Sequence, residues 1–189
     1  VTDVTERGVG MIFGKPQIHV RPQPGVHEPG IFVVSNVLEN GVPIGALGHG
    51  HIGFHCDLAY LPEPGTISAL YAQEVPEGEG ATTWAGGYAA YEALDAQTRQ
   101  MLEGIYATHR HTTPELNPTQ STAHPVVCTH PQTRRKTLFV TPLFTQTLVG
   151  LPESVDGAAL LKRLTTHATD SRFTWTHQWQ PGDLIVWDN

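Results

Sequence analysis

The residues best suited to chemistry stand at His55 and Asp57, one residue apart across Cys56 and just ahead of the run Leu61-Pro62-Glu63-Pro64-Gly65. In an extended backbone, residues i and i+2 lie on one face. An imidazole and a carboxylate can therefore aim at one point while Cys56 turns away. These are two of the three ligands of a 2-His-1-carboxylate facial triad, which holds Fe(II) and leaves coordination positions open. In a chain with 11 histidines a second reading stands beside this one, in which the aspartate only orients its neighbour. The surrounding elements have to decide between them.

A chain of 189 residues fits one domain and is long enough to bury a core. Its 19 glycines, 15 prolines and 15% charged residues describe a loop-rich globular chain rather than a disordered one. Net charge is −7 with histidine neutral, and the longest basic run is Arg134-Arg135-Lys136. That argues against a nucleic-acid partner, and the triplet reads as a solvated turn after Pro131. Cys56 and Cys128 lie in apolar or strand-like runs and read as reduced thiols of a cytoplasmic protein. No apolar run approaches the roughly twenty residues of a membrane span, and no signal-peptide pattern opens the chain. Both ends read as cut, since the chain opens at Val1 and closes within a strand-like run over 183–189.

The elements that would position the triplet are mostly short. A weak helical pattern covers 4–13, where Thr2 or Asp3 could cap it, and stops at Gly14 with Pro16 beyond. Strand signals follow at 18–20 and 31–37, then the turn pair Asn40-Gly41. Further strands are expected over 66–75, 81–85, 124–130, 136–140, 172–179 and 183–189. Gly86-Gly87 opens a helical region with a second helix from Asp95, and residues 109–121 read as a mobile loop or lid. The strongest helix is expected over 152–168, capped by Ser154, with Val155, Ala158, Ala159, Leu161 and Leu164 on its apolar face. Many short strands with two or three helices predict a mainly β fold, a double-stranded β-helix (jelly roll) with flanking helices.

Four blocks in order carry a family resemblance: Phe54-His55-Cys56-Asp57 with Pro64-Gly65; Gly80-Ala81-Thr82-Thr83-Trp84 with Tyr88 to Leu94; His124-Pro125-Val126-Val127-Cys128-Thr129-His130-Pro131 with Leu138-Phe139-Val140; and Trp179-Gln180-Pro181-Gly182-Asp183-Leu184 through Trp187-Asp188-Asn189. Together they resemble the taurine dioxygenase-like family of Fe(II)/2-oxoglutarate-dependent dioxygenases. The resemblance implies one dioxygenase domain over 1–189, with Fe(II), 2-oxoglutarate as cosubstrate, and O2. It implies hydroxylation of an unactivated C–H bond of a small organic molecule, with succinate and CO2 as products. Desaturation or cleavage are other outcomes within the family.

The resemblance makes His55 and Asp57 metal ligands and gives Thr82 a hydrogen bond to the 2-oxoglutarate carboxylate. The strand propensity of threonine is the other reading of Thr82. Trp84, on the same strand face, is either a pocket wall or core. His19 is a candidate for an anionic group of the substrate, or a satisfied polar residue on a short strand. In the family a distal histidine and then an arginine follow the Trp-Asp-Asn strand end, and both are expected beyond Asn189. His177 precedes that strand and reads as structural, while His49 and His51 lie on a glycine-rich stretch that favours solvent or substrate. Asp188 and Asn189 are expected to fix the strand end.

Two rivals have different chemistry. A zinc-dependent hydrolase needs a third histidine and a nearby general base, and no His-Glu-x-x-His spacing is present. A non-catalytic jelly-roll binding protein would keep the fold without turnover. Homo-oligomerisation is left open by the sequence.

Overall fold

The computed structural model describes residues 8, 11–18, 30–47 and 50–189. Thr2, Asp3, the strand expected over 18–20 in its part from His19 onward, and His49 lie outside the described residues. Residues 11–13 are helical and Gly14 follows at φ +146°, a conformation open chiefly to glycine.

The strands run β1 (Val34–Ser35), β2 (Leu38–Glu39), β3 (Val42–Pro43), β4 (Ala46–Leu47), β5 (Ile67–Tyr71) and β6 (Thr82–Ala85). Helices α1 (Gly87–Glu92) and α2 (Ala96–Met101) precede β7 (Tyr106–His109), β8 (Thr122–Pro125), β9 (Val127–Thr129), β10 (Lys136–Leu138) and β11 (Thr145–Val149). Helix α3 (Gly157–Ala168), β12 (Thr174–His177) and β13 (Leu184–Asp188) complete the order. The chain divides into two compact units: Val1–Ile52 with Gly65–Val75 and Gln180–Asn189, and Gly53–Pro64 with Pro76–Trp179.

In the first unit β1 pairs parallel with β4, and β2–β3 is a hairpin. Asn40 and Gly41 at its tip take φ +52° and +79°, the left-handed pair a tight hairpin turn demands. The expected strand over 31–37 is thus cut to β1, and the chain turns into the hairpin. β5 pairs antiparallel with β13. The Gln180-Pro181-Gly182-Asp183 turn closes with Asp183 N donating to the Gln180 carbonyl at 3.0 Å, and Gly182 sits at φ +95° where a side chain would be strained. Asn189 ends β13 by donating from Nδ2 to the Gly65 carbonyl at 2.7 Å, as expected for a residue that fixes the strand end.

The second unit is built on the antiparallel sheet β11–β7–β8. Its middle strand, β7, falls where the sequence predicts the end of a helix and the start of a loop. Only Ala107 and His109 of β7 are buried, too few for an apolar signature. Ala107 joins Tyr91, Leu94, Leu102, Ile105, Val126, Leu138, Val140, Leu160 and Leu164 in one core. Truncating a fully buried member such as Leu164 costs about 2–5 kcal/mol in cores of this kind. Gly87 is where α1 meets β10 most closely, since a Cβ there would collide with Thr137 Oγ1.

Helix α3 begins later than expected. Asp156, not Ser154, caps it, its carboxylate accepting from Ala159 N at 3.0 Å. The buried face is accordingly Leu160, Leu164 and Ala168, while Ala158 and Ala159 face solvent. The turn expected at the basic triplet falls just before it, over 131–133; Arg134 follows at φ +59° and Lys136 already opens β10. Two of the triplet's three charges are partnered: Arg135 meets Glu92 at 2.7 Å and stacks over Tyr88, and Lys136 lies 3.9 Å from Glu103. Within the loop expected over 109–121, His109 belongs to β7 and Asn117 organises the turn. Asn117 accepts from His111 N at 2.6 Å and donates to the His111 and Thr113 carbonyls.

Candidate active site

His55 and Asp57 converge as the spacing predicts, with Nε2 of the ring 3.3 Å from Oδ1 of the carboxylate. They do so without a strand, because residues 55 and 56 are irregular and 57–60 form turns. Leu58 adopts φ +57°, a left-handed conformation that costs a non-glycine residue about 1–2 kcal/mol. Turn hydrogen bonds, burial and one tether from the sheet surround it. Ala59 N donates to the Cys56 carbonyl and Leu61 N to the Leu58 carbonyl, at 3.3 and 2.8 Å. Leu58, Ala59 and Tyr60 are all buried. His124 of β8 donates Nε2–H to the Leu61 carbonyl at 3.0 Å, tying the end of the turn to the sheet.

The His55 ring is fixed on two further sides. Its Nδ1–H donates to the Gly53 carbonyl at 2.9 Å, and its edge meets Phe144 with centroids 5.5 Å apart. Phe144 is also packed against Tyr60 and His111. With Nδ1 committed to a carbonyl, the lone pair falls on Nε2, the nitrogen facing Asp57. Burial pushes the His55 pKa down, but a protonated ring donates to the Asp57 carboxylate and the Gly53 carbonyl, and these bonds with the Asp57 charge outweigh it, leaving the value above the ordinary one. Burial, with the Asp57 charge, lifts the Cys56 thiol to about 12. Cys56 and Cys128 are both free, as the sequence suggested.

Nitrogen and carboxylate oxygen aimed at one point, with the second ring nitrogen held by a carbonyl, is a donor set that fits a divalent metal at two protein positions. Among the described residues no group of three His, Cys, Asp or Glu side chains converges to complete it. His177 stays in β12, opposite Thr82 and edge-on to Trp179 at 4.8 Å, the structural place expected of it. His51 is exposed. His19 lies outside the described residues.

Thr82 opens β6, which pairs with β12 in the register Thr82↔His177, Thr83↔Thr176 and Trp84↔Trp175. Directly paired residues share a face. One face of this ladder thus presents Thr82, Trp84, Trp175 and His177, with Trp84 and Trp175 stacked at 5.4 Å. Trp179 continues the same alternation and donates its indole N–H to Thr82 Oγ1 at 2.8 Å. Neither this bond nor the His124 tether is visible in a local pattern. The only hint of the first is the alternation Trp175, His177, Trp179.

The whole chain, residues 1–189, matches the model of the family described as Taurine catabolism dioxygenase TauD, TfdA family, and belongs to that family. It is 32% identical over 181 residues to pentalenolactone F synthase of Streptomyces arenae, across 84% of this chain and 60% of that protein. The crystal structure of a taurine dioxygenase from Burkholderia xenovorans is 34% identical, covers 72% of this chain and 48% of its own, and superposes with a TM-score of 0.65. The crystal structure of AAD-2 in complex with Mn(II) and N-oxalylglycine is 28% identical, with a TM-score of 0.72 over 100% of this chain and 69% of that one. The mainly β architecture with a jelly-roll core, expected from the sequence, is the fold of these neighbours. The chain spans about 60% of the length of the pentalenolactone F synthase it matches.

Proposed function

We propose that this chain forms the metal- and cosubstrate-binding part of an Fe(II)- and 2-oxoglutarate-dependent dioxygenase. It hydroxylates an unactivated C–H bond of a small organic substrate, with succinate and CO2 as the other products. The observation that carries the reading is the pairing of His55 Nε2 with Asp57 Oδ1 at 3.3 Å, with Nδ1 anchored on Gly53, in a chain of this family. Family membership also favours this reading over a zinc-dependent hydrolase or a binding protein without turnover.

Fe(II) held at this pair would supply O2 activation coupled to oxidative decarboxylation of 2-oxoglutarate. The protein's own residues do the positioning. The Gly53 carbonyl keeps the proton on Nδ1 so that Nε2 remains a ligand. The Asp57 carboxylate provides negative charge at the same point, and the packed Phe144 fixes the ring that must not swing away. A carboxylate at this position leaves no vacancy for halide, which favours hydroxylation over halogenation. Thr82 donates its hydroxyl proton to a carboxylate of 2-oxoglutarate. N-oxalylglycine, present in the AAD-2 structure, differs from 2-oxoglutarate by an NH in place of a methylene, which supports a 2-oxo acid as cosubstrate here. His19 would contact an anionic group of the substrate, and a distal histidine and an arginine would complete the metal and cosubstrate sites. Two free cysteines suit a reducing, cytoplasmic setting.

The test is 2-oxoglutarate consumption by the intact protein. Succinate should form only with Fe(II) and O2 present. Metal-dependent hydrolysis that proceeds without O2 would contradict the reading.

A further inference from the structure

Three hydrogen bonds made by threonine hydroxyls on strands of the second unit are of two kinds. Thr83 meets Thr176 at 2.8 Å, and Thr108 meets Thr147 at 2.7 Å. In each of these cross-strand pairs either oxygen can be the donor, so the direction of the proton is undefined. Thr82 differs. Its partner is the Trp179 indole nitrogen at 2.8 Å, and an indole N–H can only donate. Thr82 Oγ1 is therefore the acceptor in that bond, and its own proton is directed elsewhere.

The donor cannot easily turn away, because the indole is wedged on two sides. Its ring meets His177 edge-on at 4.8 Å and Trp84 at 6.2 Å, both on the same face of the β6–β12 ladder. A bond received by a hydroxyl oxygen also polarises its O–H and strengthens the next bond along the chain. A hydroxyl in this state has its proton free for a partner that only accepts, such as a carboxylate.

We propose that Trp179 is a positioning residue that presets Thr82 as a hydrogen-bond donor, selecting an anionic carboxylate at this point of the site. The proposal rests on the reading of Thr82 as a 2-oxoglutarate contact. Trp179 does not touch the cosubstrate in this account. It acts only through the Thr82 hydroxyl.

The experiment is a double-mutant cycle read by calorimetric binding of 2-oxoglutarate to the intact, Mn(II)-loaded protein without O2, so that no turnover intervenes. Trp179→Phe keeps an aromatic ring and removes the N–H, while Thr82→Val removes the hydroxyl at nearly constant shape. Thr82→Val should weaken binding by roughly tenfold and Trp179→Phe by roughly three- to tenfold, the size expected for single hydrogen bonds to a charged group. The double variant should bind no more weakly than Thr82→Val alone. Unchanged affinity in Trp179→Phe, or losses that multiply in the double variant, would overturn the proposal in favour of simple ring packing. Unchanged affinity in Thr82→Val would instead overturn the cosubstrate role of Thr82, and the proposal with it. The same link can be read without altering Trp179. Its indole N–H should exchange slowly with solvent in the wild type and faster in Thr82→Val. Equal exchange in both would also refute it.

Discussion

Around His55 and Asp57 the backbone makes no ladder, whereas Thr82 lies in β6, paired residue for residue with β12. The first segment keeps its shape through a left-handed Leu58, three consecutive buried residues, and a side chain from a distant strand. The second needs only its partner strand and one indole. The difference is physical. An imidazole and a carboxylate two residues apart must converge while the far ring nitrogen is held by a carbonyl, and here an irregular segment leading into a turn does this. A single hydroxyl donor needs only a direction. Disturbances remote from the His55–Asp57 pair should therefore reach it, while Thr82 should respond chiefly to Trp179.

Acid should produce the largest of these remote effects. His109, in β7, is almost fully buried at 1% exposure, with Nδ1 at 3.3 Å from Thr145 Oγ1 and no partner for Nε2. Its ring lies 5.5 Å from that of His124, which holds the turn. Burial, reinforced by the His124 charge, lowers the His109 pKa to about 4. The folded state thus prefers the neutral ring, and the unfolded chain takes up the proton first. Stability from this group is complete above about 6.5, the unfolded value, and is lost as pH falls from there towards about 4. The loss should reach about 3 kcal/mol, measured by urea unfolding across that range, and His109→Phe should flatten the slope. A slope that survives in His109→Phe would assign the effect to other groups.

A smaller and more local effect is expected from His124→Phe. It removes the bond to the Leu61 carbonyl and leaves that oxygen without its donor, which should cost about 1–2 kcal/mol in urea unfolding. Mn(II) binding should weaken with it, because the turn that presents Asp57 loses its anchor. Unaltered Mn(II) affinity at reduced stability would show the tether to be structural only, and would erase the contrast with the β6–β12 pair.

Much of this organisation was legible in the residues themselves. Asn40-Gly41 and Gln180-Pro181-Gly182-Asp183 form the turns that their φ requirements dictate, and His55 and Asp57 converge as their spacing suggests. What local pattern hides is long-range. His124 reaches Leu61 across 63 positions and Trp179 reaches Thr82 across 97, and no periodicity encodes either partner. β7 and β11 are obscured for a related reason. Threonines, histidine and glutamine supply much of their sequence, and their pairing to each other stabilises what their own composition does not. At α3 two side chains able to cap lie two residues apart, Ser154 and Asp156, and the choice falls to the one whose helix buries Leu160, Leu164 and Ala168 together.

The proposed role of Asp57 as a metal ligand of an Fe(II)/2-oxoglutarate dioxygenase can be checked with Asp57→Ala in the intact protein. Succinate formation from 2-oxoglutarate should fall by at least about a hundredfold, consistent with loss of a ligand from a metal centre. Circular dichroism and the unfolding midpoint should stay close to wild type, since Asp57 belongs to a half-exposed turn and not to the core. Turnover that survives the substitution in a folded protein would contradict the assignment.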